Sequence, residues 1–260
     1  MRKLRFATLT AALALGAGMV SAHDIKVGVS VGEHAEIMEK VAETARDRGL
    51  NIEIIEFTDY VIPNQALNDG DLDANSFQHQ PYLDNQIADR GFDLVTVAKT
   101  ITTPMGIYSD KLESLDDLPE GARVAIPNDP TNGGRALLLL QAKGLLTLGE
   151  DVGLTPNPLD IAGNPKGLDF LELDAAQLPR TLADADIAII NTNYALDAGL
   201  NPQEDSIAME DADSPYANII VVRQQDQDAE WVPDLIEAYH DPAIKAFIEE
   251  RYQGAVIPAF

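Results

Sequence analysis

The chain has 260 residues, 45% hydrophobic and 23% charged, the balance of a globular protein with one large or two small domains. Its 18 lysines and arginines stand against 43 aspartates and glutamates, a formal charge of −25 that excludes the basic face nucleic acid or an anionic membrane would need. There is no cysteine, which excludes disulfides, cysteine zinc sites and thiol catalysis.

Residues 1–22 have the three parts of a secretory signal peptide. Arg2, Lys3 and Arg5 form a basic start, an apolar stretch runs from Phe6 to Val20, and Val20-Ser21-Ala22 offers small residues for cleavage after Ala22. Strand-like alternation from Asp24 to Val31 follows, then a turn over Gly32–Ala35 and helical spacing from Glu36 to Arg48, with Ile37, Val41 and Ala45 on one face. Asn51–Phe57 reads as a strand, Pro63–Leu67 as a short helix and Asp71–Asn75 as a strand or its edge. Pro81–Arg90 reads as a helix and Leu94–Lys99 as a strand.

The pattern then restarts. Ile107–Ser109 and Val124–Pro127 are extended, Gly134–Leu146 is an apolar helix and Leu168–Leu173 is a strand. Ala175–Leu182 is helical, and Ile187–Ile190 and Asn218–Arg223 are strands. Asp234–His240 and Pro242–Tyr252 are closing helices. Two strand–helix series imply an α/β fold with two lobes, mainly parallel central sheets and a ligand cleft where the chain crosses between them. The expected division is residues 23–103 with 221–260 in one lobe and 104–220 in the other. Thr102–Gly106 and Asn218–Arg223 are the candidate crossovers.

Three segments carry site chemistry. Thr131-Asn132-Gly133-Gly134-Arg135 lies between a strand and a helix, where glycines free backbone N–H groups and Arg135 suits a carboxylate. A capped helix with a surface arginine fits the same letters. Ser76–Tyr82 gathers Phe77, His79 and Tyr82, with Tyr60 at a comparable strand end, as an apolar pocket with polar tips or as ordinary packing between sheet and helix. Asn193 and Asn218 offer donors and acceptors for a zwitterion, or simple turn chemistry. The four histidines lack metal-ligand spacing, and there is no GxSxG, HExxH, P-loop or GxGxxG. No metal, cofactor or enzymatic activity is therefore expected. The acidic runs Glu204–Asp213 and Asp226–Glu230 read as solvated loops.

The runs EFTDYVIPNQALNDGDLDANSFQHQPYL, IPNDPTNGGRALLLLQ, AAQLPR, NTNYALDAGLNP, ADSPYANIIVVR and GAVIPAF, in this order, resemble the methionine-binding NlpA/MetQ family from about Ile25 to Phe260. These are substrate-binding components of bacterial methionine ABC importers. The resemblance implies a periplasmic-binding-protein-like fold that closes on one amino acid and docks on a permease with its ATPase. It implies carboxylate contacts at Asn132 and Arg135, a side-chain pocket of Tyr60, Phe77, His79 and Tyr82, and α-amino contacts at Asn193 and Asn218. L-Methionine is the expected ligand, with D-methionine, methionine sulfoxide, a methionine dipeptide or another apolar amino acid as alternatives. Aromatic edges suit the polarisable thioether, and each charge of the zwitterion needs a partner once it leaves water. Many family members carry a lipidated cysteine at the cleavage site, where this chain has Ala22-His23. The expectation is therefore a monomer free in the periplasm, with no lipid anchor. Thr192 stands where glycine is commoner in the family and is expected to crowd or re-aim Asn193.

Overall fold

The structure, a computed structural model, describes residues 23–211 and 214–260; the expected signal peptide lies outside the described residues. Strand β1 (His23–Ser30) leads into α1 (Glu33–Arg46), β2 (Leu50–Phe57), α2 (Ile62–Asp69), β3 (Ala74–His79), α3 (Gln80–Arg90) and β4 (Leu94–Lys99). A crossing through Thr103-Pro104-Met105 opens the second series. It comprises β5 (Gly106–Tyr108), β6 (Arg123–Pro127), α4 (Pro130–Ala142), β7 (Asp169–Leu173), β8 (Ile187–Ile190), α5 (Thr192–Asp197) and β9 (Ser206–Met209). The chain returns as β10 (Asn218–Arg223) and closes with α6 (Val232–Tyr239) and α7 (Pro242–Tyr252).

Two five-stranded sheets result, in the orders β2-β1-β3-β10-β4 and β7-β6-β8-β5-β9. In the first, β1 runs parallel to β2 and β3, while β10 is antiparallel to β3 and β4. In the second, β6 runs parallel to β7 and β8, while β5 is antiparallel to β8 and β9. Each sheet is thus mainly parallel, as expected, with a single reversed strand. The reversed strand is in each case the one that follows a crossing. Asn218 pairs with His79 and Gly106 pairs with Ile190, so both crossings enter at the C-terminal edge of the parallel strands. That edge is where open α/β sheets bind their ligands.

Packing follows the sequence periodicity. Ile37, Val41 and Ala45 form the fully buried stripe of α1 against Val27 and Val29 of β1. The second sheet has its own core around Val124, Ile126, Leu137, Leu140, Ile187 and Ile189. A separate cluster around Tyr108, Ile190 and Tyr194 gathers Val31 and Tyr60 from the first series, joining the two halves beside the cleft.

Several elements differ from expectation for local reasons. Helix α1 starts at Glu33, so the expected turn is reduced to Gly32, whose φ of 89° favours glycine. A Cβ at Gly32 would stand 2.7 Å from the Asn193 carbonyl oxygen, so the backbones of the two halves meet there. Helix α4 begins at Pro130 and ends at Ala142, because Asp129 caps it and proline favours the first helical position. The third strand of the first sheet is Ala74–His79 rather than Asp71–Asn75. Gly70 ends α2 at φ 86°, and the Asp73 carboxylate accepts the Lys26 N–H at 2.8 Å. Ala175–Thr181 is a 3-10 helix, since Pro179 removes one donor from its interior. Part of the acidic run expected to be a loop is strand β9.

Candidate ligand-binding site

A cavity with about 320 Å3 of space between the sheets is lined by all eight expected residues: Tyr60, Phe77, His79, Tyr82, Asn132, Arg135, Asn193 and Asn218. His34, Gln78, Thr103 and Asn191 complete the lining, and none of these was expected.

One wall comes from the first sheet. Buried β3 delivers Phe77 and His79, and α3 delivers Tyr82. The Tyr60, Phe77 and Tyr82 rings lie at mutual centroid distances of 6.0–6.1 Å. Their polar tips are spoken for inside the protein. Tyr82 donates its hydroxyl to the Tyr60 carbonyl at 2.9 Å, and Tyr60 donates its own to Asn193 Oδ1 at 2.5 Å. His79 caps α3 by accepting the Tyr82 N–H at Nδ1, 3.1 Å. Its proton therefore sits on Nε2, 3.3 Å from Asn132 Oδ1. Burial and the nearby Arg135 charge hold His79 down at about 3, so the ring is neutral. Behind this wall, the Asn64, Asn75 and Gln78 amides bond one another at 2.7–3.0 Å and tie α2 to β3.

The opposite wall comes from three turns at the C-terminal strand edge. Arg135 projects from the second turn of α4 and is 2% exposed. Its Nε donates to both Glu210 oxygens at 3.1 Å, and Nη2 donates to Glu210 Oε2 and to the Thr103 carbonyl at 2.9 Å. The guanidinium carbon sits 4.4 Å above the Tyr216 ring. Nη1 makes no hydrogen bond among the described residues. Glu210 also accepts the Met105 N–H at 3.2 Å, so this one ion pair clasps the outgoing crossing and the segment that leads back. Glu210 belongs to the acidic run Glu204–Asp213 that reads as a solvated loop, and its ion pair with buried Arg135 overturns that reading. The Gly133 N–H is taken by the Asp129 carbonyl at 2.8 Å. A Cβ on Gly133 or Gly134 would stand 2.7 Å from a backbone oxygen, that of Pro127 or of Leu154, so these glycines allow close packing of α4.

Asn191 and Asn193 flank the start of α5. Thr192 does not stand between them and the cavity, because its hydroxyl bonds the Pro104 carbonyl at 2.6 Å. Asn218 donates to Thr103 Oγ1 at 3.3 Å. Some buried polar atoms around the cavity have no partner: Asn191 Oδ1, Asn193 Nδ2 and His34 Nδ1. Unpaired buried polar atoms are costly, and in a pocket lining they mark where a polar ligand makes its bonds.

A pocket between the two sheets with an aromatic end and a polar end that holds a buried arginine fits a binding protein for a small amphipathic molecule. The chain matches the NlpA lipoprotein family over residues 25–260 and belongs to that family. It is 50% identical over 236 residues to the D-methionine-binding lipoprotein MetQ of Salmonella typhimurium, an alignment covering 90% of this chain and 87% of that one. Among solved structures it resembles a nutrient-binding protein from Burkholderia cenocepacia bound to methionine. The TM-score is 0.89 at 52% identity, covering 91% of this chain and all of that one. It also resembles an ABC transporter periplasmic substrate-binding protein from Coxiella burnetii, with a TM-score of 0.87 at 45% identity, covering 90% and 100%. These findings correct one expectation. The family is one of lipoproteins, and the Salmonella relative is named as one, against the expectation of an unanchored protein free in the periplasm.

Proposed function

We propose that the protein captures methionine between its two α/β halves and delivers it to the membrane components of an ABC importer. The observation that carries this reading is the division of one pocket into an aromatic end and an end holding buried Arg135, whose Nη1 makes no hydrogen bond among the described residues. A thioether suits the rings of Tyr60, Phe77 and Tyr82, and a carboxylate suits Arg135. The relatives that bind methionine, and the substrate-binding protein from Coxiella burnetii, support the same reading. The halves act as two lobes, and ligand contacts on both walls favour the closed form. The protein performs no chemistry on its ligand. Both nitrogens of His79 are engaged in fixed hydrogen bonds, which suits a wall better than a proton shuttle.

Native mass spectrometry of the protein as purified tests this directly. The expected result is an adduct with the mass of methionine, or a bare protein that gains that mass when methionine is added. A different adduct keeps the transport role and changes the cargo. A bare protein that refuses methionine overturns the reading. Competition between the L and D enantiomers then assigns handedness.

A further inference from the structure

The outgoing crossing changes hands at a single junction, between Thr102 and Thr103. On the near side the chain is held by the first half. Thr100 donates its N–H to the Asn218 carbonyl at 2.8 Å and accepts the Ala259 N–H at 3.0 Å. Ile101 and Thr102 pair antiparallel with Pro258 and Ile257, and Ile101 is fully buried in the first core. On the far side the chain is held by the second half. Arg135 donates to the Thr103 carbonyl at 2.9 Å, and the Thr192 hydroxyl donates to the Pro104 carbonyl at 2.6 Å. The Met105 carbonyl accepts the Glu210 N–H at 2.9 Å, and Met105 is buried in the second core. The Asn218 amide reaches over the junction, to Thr103 Oγ1 at 3.3 Å.

The near side owes its hold to the segment Ala255–Phe260. Ala255 and Val256 are buried in the first core and anchor it. Ile257, Pro258 and Ala259 then run along Thr102, Ile101 and Thr100 as a two-stranded ribbon. Such a ribbon is marginal on its own and needs packing to hold it. Phe260 supplies that packing. Its ring stacks on His240 with centroids 4.6 Å apart and an interplanar angle of 6°, and it meets Tyr239 edge-on at 5.9 Å. His240, the residue after α6, donates from Nε2 to the Lys99 carbonyl at 2.8 Å. The stacked pair is thereby fastened to both strands of the ribbon. Neither ring lines the cavity, so neither is explained by contact with a ligand.

We propose that Ile257–Phe260 is a brace on the hinge, and that Phe260 and His240 are positioning residues for ligand capture. The brace keeps Thr100, Ile101 and Thr102 on the first half, so the halves pivot at the Thr102–Thr103 junction instead of bending along the whole crossing. Arg135 grips the far side of that junction, which ties the pivot to the residue that suits the ligand carboxylate. The proposal rests on closure of the two halves around methionine and adds what confines the motion. A slack hinge gives the open form more conformations, and ligand binding must offset that freedom before the halves close.

Spin labels on two introduced cysteines report the motion cleanly, since the chain has no cysteine of its own. Asp47→Cys and Leu159→Cys place them at exposed positions of the first and second halves. Electron–electron distance measurement on the full chain without ligand is expected to give a broader distribution in Phe260→Ala than in the parent. With methionine bound, the two distributions are expected to coincide. Methionine affinity is expected to fall roughly fivefold in Phe260→Ala and to recover in Phe260→Tyr, which keeps the stacked ring. A residue that merely stabilised the fold would lower Tm without broadening the ligand-free distribution. His240→Leu removes the other ring of the stack and the bond to Lys99. It is expected to act in the same direction, and it carries the test if Phe260→Ala fails to fold. An unchanged ligand-free distribution in a folded variant, or broadening that persists in Phe260→Tyr, overturns the brace. Failure of the parent to bind methionine overturns the methionine reading, while the ligand-free distributions still decide the brace.

Discussion

The two walls of the cavity solve different problems. The aromatic wall from β3 and α3 has its polar tips bonded within the protein: the Tyr60 and Tyr82 hydroxyls and both His79 nitrogens. It offers a ligand shape and polarisable surface and asks for no hydrogen bond. The wall from α4 and α5 leaves Asn191 Oδ1 and Asn193 Nδ2 without partners, and Arg135 Nη1 makes no bond among the described residues. It is incomplete without a charged guest. A satisfied wall selects by fit, and an unsatisfied wall selects by the penalty of leaving it so.

If that division is right, the largest loss comes from the unsatisfied wall. Arg135→Ala is expected to weaken methionine binding by roughly 3 kcal/mol, about a hundredfold or more, because it strands the ligand carboxylate and Glu210 together. Calorimetry on the folded variant measures this, and unchanged affinity would place the anion elsewhere. A smaller effect sharpens the contrast between unpaired atoms that serve a ligand and those that do not. Glu33 is 1% exposed, both of its oxygens lack partners, and it is not part of the cavity lining. Burial pushes its carboxyl up to about 8. A raised folded-state value means that its stability contribution is full below the ordinary value of 4.5 and is lost as the pH climbs through about 8. Glu33→Gln is therefore expected to raise Tm by roughly 5 °C at pH 9 and to leave it unchanged near pH 4. A gap that does not vary with pH would show that Glu33 is not the source.

The sequence made the strand–helix series legible because apolar periodicity is local. It also exposed the aromatic run and Arg135, whose residue types are costly to bury without purpose. What stayed hidden depends on distant partners. Glu210 sits in a run of acids that reads as solvated, and only the return of the chain past Met105 brings it onto Arg135. Asn191 resembles any helix-capping asparagine until Asn132 is seen to hold its amide from another turn. The glycines before Arg135 carried the right location with the wrong reason, since the atoms they avoid belong to Pro127 and to the loop at Leu154. His34 lines the cavity because α1 starts three residues earlier than its hydrophobic stripe announces.

The smallest expected effect lies where the two walls touch. The Tyr60 hydroxyl is the one group of the aromatic triad that reaches the polar wall, at Asn193 Oδ1. Tyr60→Phe keeps the ring against Phe77, Tyr82 and Tyr194 and removes only that bond. The Tyr194 hydroxyl still reaches the Thr58 carbonyl at 3.2 Å, so one bond between the walls survives. The lost bond contributes about 1 kcal/mol, so affinity is expected to fall roughly fivefold. Because the bond belongs to the closed form and touches no ligand atom, the loss belongs in the dissociation rate, with association unchanged. Stopped-flow measurement separates the two. A loss as large as that of Arg135→Ala would mean that the hydroxyl contacts the ligand itself, and the aromatic wall could then no longer be described as selecting by fit alone.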